Sequence, residues 1–265
     1  MNRLRHWWQQ HLRNKSRIAP PLWEHALGHA AVLHRLDRNQ RLRLRQLAGH
    51  FMRIKTVGGA QGLYVNDEMR VFIAAQACLL ILELDFGYFD GWHEVIVYPG
   101  SFLVAREEYD EAGVVHQYRH ALNGEAWGRG PVILSWQDIR PGVQPHGPGS
   151  NVILHEFAHK LDLLNGAANG MPPLHSGMSR PAWTRALSTA YRDLCDKVDH
   201  GRHTDIDPYA CESPAEFFAV FTENFFERPE LLQEMYPAVY QQFALFYRQD
   251  PVRKAPQAAE GPGAA

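Results

Sequence analysis

Two histidines four positions apart, with a glutamate directly after the first, stand in the chain as His155, Glu156 and His159. On a helix, both imidazoles lie on one face and can bind a single metal ion. A catalytic zinc ion takes three protein ligands and keeps a fourth position for water, beside which Glu156 would lie. The motif therefore predicts a zinc hydrolase, and a third ligand must come from elsewhere in the chain.

The residues around the motif predict a buried helix over 150–164. Apolar residues precede it at 152–154 and follow it at 161–164, Ser150 or Asn151 can cap it, and Asn165-Gly166 can end it. A strand is predicted directly upstream at 132–136, where it could hold an extended peptide by backbone pairing. This context favours a metal site over a chance occurrence of a short pattern.

The best source of a third ligand is the stretch from Tyr209 to Ala219. Glu216 is predicted in the first turn of a helix with an apolar flank, where a buried carboxylate needs a partner such as a metal ion. The same residues also fit a capping box, with Ser213 as N-cap and Glu216 at the third helical position. From the residues alone, the two interpretations stay open.

Other ionisable residues are alternatives for roles at this site. Glu212 and Glu223 compete with Glu216 as ligands, although Glu212 is expected to be exposed and Glu223 better suits a role that orients a ligand. Asp162 could orient a ligand histidine or lie on the surface. His146 or His175 could add a fourth ligand, which would close the site and give a latent or structural centre. His25 and His29 also have metal-ligand spacing, but no acidic residue stands between them.

The extended motif His-Glu-Phe-Ala-His-Lys-Leu-Asp at 155–162 resembles the Mlc titration factor A family of bacterial zinc peptidases. A second block, with Tyr209 followed by Pro-Ala-Glu-Phe-Phe-Ala at 214–219, is similar to the corresponding block of that family. The resemblance covers most of the chain and departs only at the Arg/Trp-rich start and the Ala/Gly/Pro-rich end.

The resemblance implies a gluzincin-like peptidase with one zinc ion held by His155, His159 and Glu216. It implies Glu156 as the general base and Tyr209 near the metal, where its hydroxyl could stabilise the developing oxyanion. It also implies aminopeptidase activity on a peptide substrate and binding to the glucose repressor Mlc, which would affect sugar-uptake genes. The alternative is a repressor-binding protein without catalysis, in which the zinc is structural.

Composition excludes several other classes of protein. The chain has 265 residues, 45% of them hydrophobic, and a net charge of -2, so no global charge favours direct binding to nucleic acid. The three cysteines, at 78, 195 and 211, are odd in number and far apart, which favours a reducing compartment over a disulfide framework. We expect no signal peptide and no membrane span, and a cytoplasmic location follows.

The order of predicted elements is helices, then a small and mostly antiparallel sheet, then helices. We therefore expect an α+β zincin-like domain with a helical N-terminal part and an active-site helix. Three segments are predicted: a basic N-terminal arm over 1–19, a single peptidase domain over 20–250 and a disordered tail over 251–265.

Overall fold

The computed structural model describes residues 18–100, 107–109, 115–117 and 130–253. Most of the predicted N-terminal arm and tail lie outside the described residues, as does a strand predicted at 101–105. The predicted boundaries of the arm, domain and tail therefore remain predictions. Within the described part, helices surround a small sheet, and the α+β class is confirmed.

The described residues form nine α-helices. They are α1 (Pro20–His29), α2 (Arg38–Ile54), α3 (Asp67–Leu80), α4 (Trp136–Ile139), α5 (Val152–Asp162), α6 (Arg180–Asp199), α7 (Pro214–Glu227), α8 (Pro229–Met235) and α9 (Pro237–Tyr247). Short 3-10 helices occur at Ala31–Leu33, Phe86–Phe89, Leu163–Asn165 and Pro208–Cys211. None of the helices in these ranges has the length and apolar character needed to cross a bilayer.

Five strands are described: β1 (Thr56–Gly59), β2 (Glu94–Tyr98), β3 (Glu107–Tyr109), β4 (Val115–Gln117) and β5 (Val132–Ser135). β1, β2 and β5 form a three-stranded sheet in the order β1-β2-β5, in which Val95 of β2 is aligned with Val57 and Val132. β3 and β4 form a separate antiparallel pair. Alternate residues of β2 and β5 are buried, so one face of the sheet packs against the core.

The prediction of a mostly antiparallel sheet is wrong, because both pairings in the three-stranded sheet are parallel. For the β1–β2 pair, the error lies at residues 58–62, which the glycines predict to be a turn. Gly58 and Gly59 instead belong to β1, and the turn begins only after them. With β1 present, α3 becomes the crossover between β1 and β2, and a crossover of this kind joins parallel strands.

The predicted motif helix is confirmed as α5. Asn151 caps it, since its side-chain oxygen accepts a hydrogen bond from the Leu154 N–H at 3.1 Å. Phe157 lies on the face opposite His155 and His159 and is fully buried among Phe51, Phe89 and Trp92, with ring centroids 5.4–5.9 Å away. This aromatic packing anchors one face of α5 in the core, and its histidine face points toward α7.

Helix α7 lies beside α5 and is buried along almost its whole length. Ser213 caps it by accepting a hydrogen bond from the Glu216 N–H at 3.2 Å, and Pro214 occupies the first helical position, as predicted. The loop after α5 contacts this end of α7 at Gly170, where a Cβ atom would lie 2.5 Å from the Pro214 carbonyl oxygen. Gly170 also has a φ of +74°, so both its conformation and its surroundings require glycine.

Candidate metal centre

Three donor atoms from α5 and α7 converge on one point. Glu216 Oε2 lies 3.0 Å from His155 Nε2 and 3.3 Å from His159 Nε2, and the two imidazole nitrogens are 3.1 Å apart. A tetrahedral zinc ion with bonds of about 2.0–2.1 Å holds its ligands about 3.3 Å from one another. The three atoms therefore form one face of such a tetrahedron, and these side chains fit a metal ion.

Among the described residues, this is the only cluster of three or more histidine, cysteine or acidic side chains compact enough to hold a metal ion. Glu212 is exposed and does not belong to the cluster. His146 is also exposed, and His175 is engaged elsewhere, because its ring nitrogens lie 2.7 Å from the Phe246 carbonyl oxygen and 3.3 Å from the Tyr88 hydroxyl. The described chain thus brings together three donors and no fourth.

Only half of the predicted capping box forms, because the Glu216 carboxylate contacts the two histidines. The half that forms is the N-cap, in which the Glu216 backbone N–H donates to the Ser213 hydroxyl. Its carboxylate points to the two histidines and is almost completely buried. The Ser213 cap and the histidine contacts are thus compatible, whereas the reciprocal bond from the Ser213 N–H to Glu216 is not among the bonds of the described residues.

The protons in this cluster are strongly coupled. Burial alone would raise the pKa of Glu216, but hydrogen bonds from His155 and His159 outweigh it and hold the pKa well below its ordinary value. Burial alone would lower the pKa of His155, yet hydrogen bonds to Glu216 and Glu223 raise it. Without a metal, the cluster therefore retains a proton on His155, and a cation that binds His155 Nε2 must displace the proton there.

Glu223 contacts the same imidazole from the other side. Its Oε1 lies 2.8 Å from His155 Nδ1, and its Oε2 accepts a hydrogen bond from the Asn151 N–H. Asn151 in turn donates to Gln76 at 2.8 Å and to Glu227 at 2.7 Å. The sequence predicted Glu223 as a residue that orients a ligand, but it did not predict the contacts of Gln76 and Glu227 with Asn151. The spacing of Glu223 and Glu227 by one turn on α7 is the signal that points to Glu227.

Glu156 and Tyr209 lie close to the cluster. Burial raises the pKa of Glu156, and although His155 and His159 oppose this, the carboxylates of Glu216 and Glu223 add to it. The Tyr209 ring lies 6.1 Å from the His155 ring, and burial together with the charges of Glu216 and Glu156 raises the pKa of its hydroxyl. Tyr209 therefore keeps its proton at neutral pH and can donate a hydrogen bond.

Asp162 is fully buried, so a surface position for it is wrong. Its Oδ2 accepts a hydrogen bond from the Gly170 N–H at 2.8 Å, and no hydrogen bond from the described residues reaches Oδ1. Burial raises its pKa to about 6, against the effect of backbone N–H groups that lower it. Asp162 fixes the loop after α5, and within the described residues it makes no hydrogen bond to His159.

The sequence has clear relatives among known proteins. Residues 4–248 match the family described as glucose-regulated metallo-peptidase M90. Mlc titration factor A of Klebsiella pneumoniae subsp. pneumoniae is 38% identical over 234 residues, which cover 88% of this chain and 87% of that protein. Mlc titration factor A of Yersinia pestis is 37% identical over 235 residues, which cover 88% of this chain and 86% of that protein.

Proposed function

The chain belongs to the glucose-regulated metallo-peptidase M90 family, and from this premise we propose that it is a zinc-dependent aminopeptidase. The observation that carries the proposal is the triangle formed by His155 Nε2, His159 Nε2 and Glu216 Oε2, whose sides are 3.0–3.3 Å. Two neutral imidazoles and a carboxylate are a ligand set found in catalytic zinc sites. A peptidase of this kind would act on peptide substrates, and we place it in the cytoplasm.

In the proposed mechanism, His155, His159 and Glu216 hold the zinc ion. A bound zinc ion would lower the pKa of a water molecule and polarise the carbonyl of the scissile bond. Glu156 accepts a proton from the attacking water and passes it to the leaving amine, for which a carboxylate with a raised pKa is suited. Tyr209 donates a hydrogen bond to the carbonyl oxygen as negative charge develops on it.

β5 is suited to hold the substrate. It packs beside α5, and among the described strands it pairs only with β2. A peptide in extended conformation would pair with the other edge of β5, and its scissile bond would then lie near the histidine face of α5.

Metal analysis and peptidase assays on the purified chain test this function together. We expect about one zinc ion per chain, as a three-donor site implies, and cleavage of chromogenic amino-acid amides that stops when a chelator is added. The Glu156→Gln variant should keep its zinc, while its kcat falls by about 10²–10⁴-fold because the general base is lost. Glu212→Gln is the matched control, since Glu212 is exposed and outside the cluster, and it should cleave at the wild-type rate.

Two results would contradict the proposal at different points. A chain that stays metal-free in saturating zinc would rule out the zinc enzyme as a whole. Full activity in pure, zinc-loaded Glu156→Gln protein would refute only the assignment of Glu156 as the base.

A second function is favoured by the name of the relatives, Mlc titration factor A. We propose that this chain also binds a transcriptional repressor of the Mlc type, with or without catalysis. Native mass spectrometry of the chain mixed with a purified repressor of that type tests this. A complex in both the wild type and Glu156→Gln would show that binding does not require hydrolysis, and its absence from both would exclude the second function.

A further inference from the structure

The carboxylate of Glu223 joins the metal cluster to the first turn of α5. The side chain is almost completely buried, and each of its oxygens contacts a different group on α5. Oε1 lies 2.8 Å from His155 Nδ1, and Oε2 accepts a hydrogen bond from the Asn151 N–H. One side chain therefore holds both the Nδ1 side of the His155 ring and the residue that caps the helix carrying that ring.

The first contact determines which nitrogen of His155 carries its proton. An ionised carboxylate can only accept hydrogen bonds, so the Nδ1 atom that faces Glu223 must be the donor. Once a metal ion displaces the proton on Nε2, the lone pair of that nitrogen becomes available, and this is the atom that lies 3.0 Å from Glu216 Oε2. The Glu223 contact thus selects the tautomer that directs the lone pair into the triangle of donor atoms.

The second contact fixes where α5 begins. Asn151 uses its side-chain oxygen to cap the helix at the Leu154 N–H, and its side-chain amide donates to Gln76 and Glu227. Its backbone N–H lies before the first helical position and takes Glu223 as its partner. Glu223 therefore holds the first turn of α5 against α7 as well as orienting the ring of His155.

Helix α7 also supplies Glu216, which is two turns before Glu223 and on the same face of the helix. The two carboxylates contact opposite nitrogens of one imidazole. A shift of α7 would move both together, so the separation between Nε2 and Glu216 Oε2 depends on a single rigid element. The contact between Glu223 and His155 therefore helps to set the distance between His155 Nε2 and Glu216 Oε2.

We propose that Glu223 is a positioning residue that sets the metal affinity of the site by fixing the tautomer and orientation of His155. The inference rests on the proposed function in one respect, since it requires that His155 bind a metal ion. Glu223 does not touch the metal or the substrate. Its removal should therefore weaken metal binding more than it weakens the fold.

Zinc affinity measured by competition with a chromogenic chelator tests the inference. Glu223→Gln keeps the size of the side chain but has only one acceptor oxygen. Its NH₂ group must then face either His155 Nδ1–H or the Asn151 N–H, which is also a donor, so one of the two hydrogen bonds is lost. We expect the dissociation constant for zinc to rise about 10–100-fold in Glu223→Gln and Glu223→Ala, the usual effect of losing a partner of a ligand histidine. The absorption spectrum of the Co²⁺-loaded chain should change as well, because it reports on ligand geometry.

Glu227→Gln is the matched control. Glu227 lies one turn after Glu223 and also contacts Asn151, but not His155. Its replacement perturbs the same junction of α5 and α7, yet zinc affinity and the Co²⁺ spectrum should stay at their wild-type values. If Glu223→Ala does not fold, the isosteric Glu223→Gln still decides the question.

The outcomes separate the inference from the proposed function. Wild-type zinc affinity and an unchanged Co²⁺ spectrum in folded Glu223→Gln would overturn the positioning role while the zinc site stands. An equal loss of affinity in Glu227→Gln would overturn it too, because a loosened helix junction would then explain both variants. If the wild-type chain itself binds neither zinc nor cobalt, the proposed function fails, and the inference fails with it.

Discussion

Two carboxylates on one face of α7, Glu216 and Glu223, contact the same imidazole through different nitrogens. Their chemistry is the same, and they differ in the ring nitrogen that each one contacts. Glu216 joins His159 in the triangle of donor atoms, whereas Glu223 contacts Nδ1 and the Asn151 N–H. We therefore propose different roles for the two residues, with Glu216 as a metal ligand and Glu223 as a positioning residue, because they face different atoms.

The hydroxyl of Tyr209 gives a prediction for catalysis. It stays protonated because burial and the nearby charges of Glu216 and Glu156 raise its pKa. Tyr209→Phe should lower kcat by about 10²–10³-fold, as expected for one lost oxyanion donor, with KM and zinc content unchanged. Steady-state kinetics and metal analysis check this, with Tyr64→Phe as a control because Tyr64 is 83% exposed. A wild-type kcat in Tyr209→Phe would exclude the role.

Asp162 gives a prediction for stability as a function of pH. Burial raises its pKa in the folded chain to about 6, from about 3.9 in the unfolded chain. Between these values the folded state binds more protons, so this residue makes the free energy of unfolding fall as pH rises from about 4 to about 6. Below about pH 4, Asp162 is protonated in both states and does not change the free energy of unfolding. Above about pH 6, the free energy of unfolding keeps the full reduction caused by Asp162 and no longer changes with pH through this residue.

The Asp162→Asn variant should lack this fall in stability. Relative to the wild type, its free energy of unfolding should increase by about 2–3 kcal/mol between pH 4 and pH 7. Urea unfolding of the variant and the wild type at several pH values, with a chelator present, measures the difference between their free energies of unfolding. Groups that titrate alike in both proteins cancel in this difference. A difference that does not change with pH would show that Asp162 titrates normally.

The start of α7 combines a helix cap with a side chain of the metal cluster. The segment Ser213–Glu216 begins α7 and places the Glu216 carboxylate against α5. The capping pattern was evident in the sequence because caps depend on neighbouring residues. The partner of the carboxylate was not, because α5 is separated from Glu216 by the whole of α6.

The cap of α7 can be tested directly. Ser213→Ala removes the acceptor for the Glu216 N–H and should cost about 1 kcal/mol, typical of a lost N-cap. For a domain of this size, the melting temperature should fall by about 2–4 °C. Ser213→Thr retains a hydroxyl and should keep most of the stability. Equal melting temperatures for the alanine variant and the wild type would show that this cap contributes nothing.

The strand directions of the sheet do not follow from the local sequence pattern. The sequence predicted a mostly antiparallel sheet, but among the described strands only the β3–β4 pair is antiparallel. β1 was missed because two of its four residues are glycines, which normally weaken a strand. Its pairing with β2 is a tertiary contact that outweighs the local preference of these residues.

For the whole molecule, the position of α5 depends on a cluster of aromatic side chains drawn from distant parts of the chain. Phe51 from α2, Phe89, Trp92 and Phe157 pack with ring centroids 5.4–6.1 Å apart. Lys55 lies over the Trp92 ring at 3.9 Å and donates to the carbonyl oxygens of Phe89 and Trp92. This packing holds the face of α5 opposite to the metal cluster.

Phe157→Ala should destabilise the protein by about 3–5 kcal/mol, the usual range for a buried phenylalanine. Because it removes none of the three donor side chains, saturating zinc should restore part of the lost stability by mass action. Chemical unfolding with and without zinc measures both effects. Leu164→Ala is the control, since Leu164 is 36% exposed just beyond α5 and its change should stay within about 0.5 kcal/mol. A cost for Phe157→Ala as small as that of the control would show that the cluster does not anchor α5.

Local spacing along the chain was enough to predict the helix of the motif, the shared face of His155 and His159, the caps at Asn151 and Ser213, and the α+β class. These features depend on residues a few positions apart, whose relation is fixed by the helical repeat. The contact of Glu216 rather than Glu212 with the two histidines, the Glu223 contact and the parallel direction of the sheet arise only when distant segments pack. His155 meets Glu216 and Glu223 across 61 and 68 positions of sequence, and no local periodicity encodes a contact over that distance.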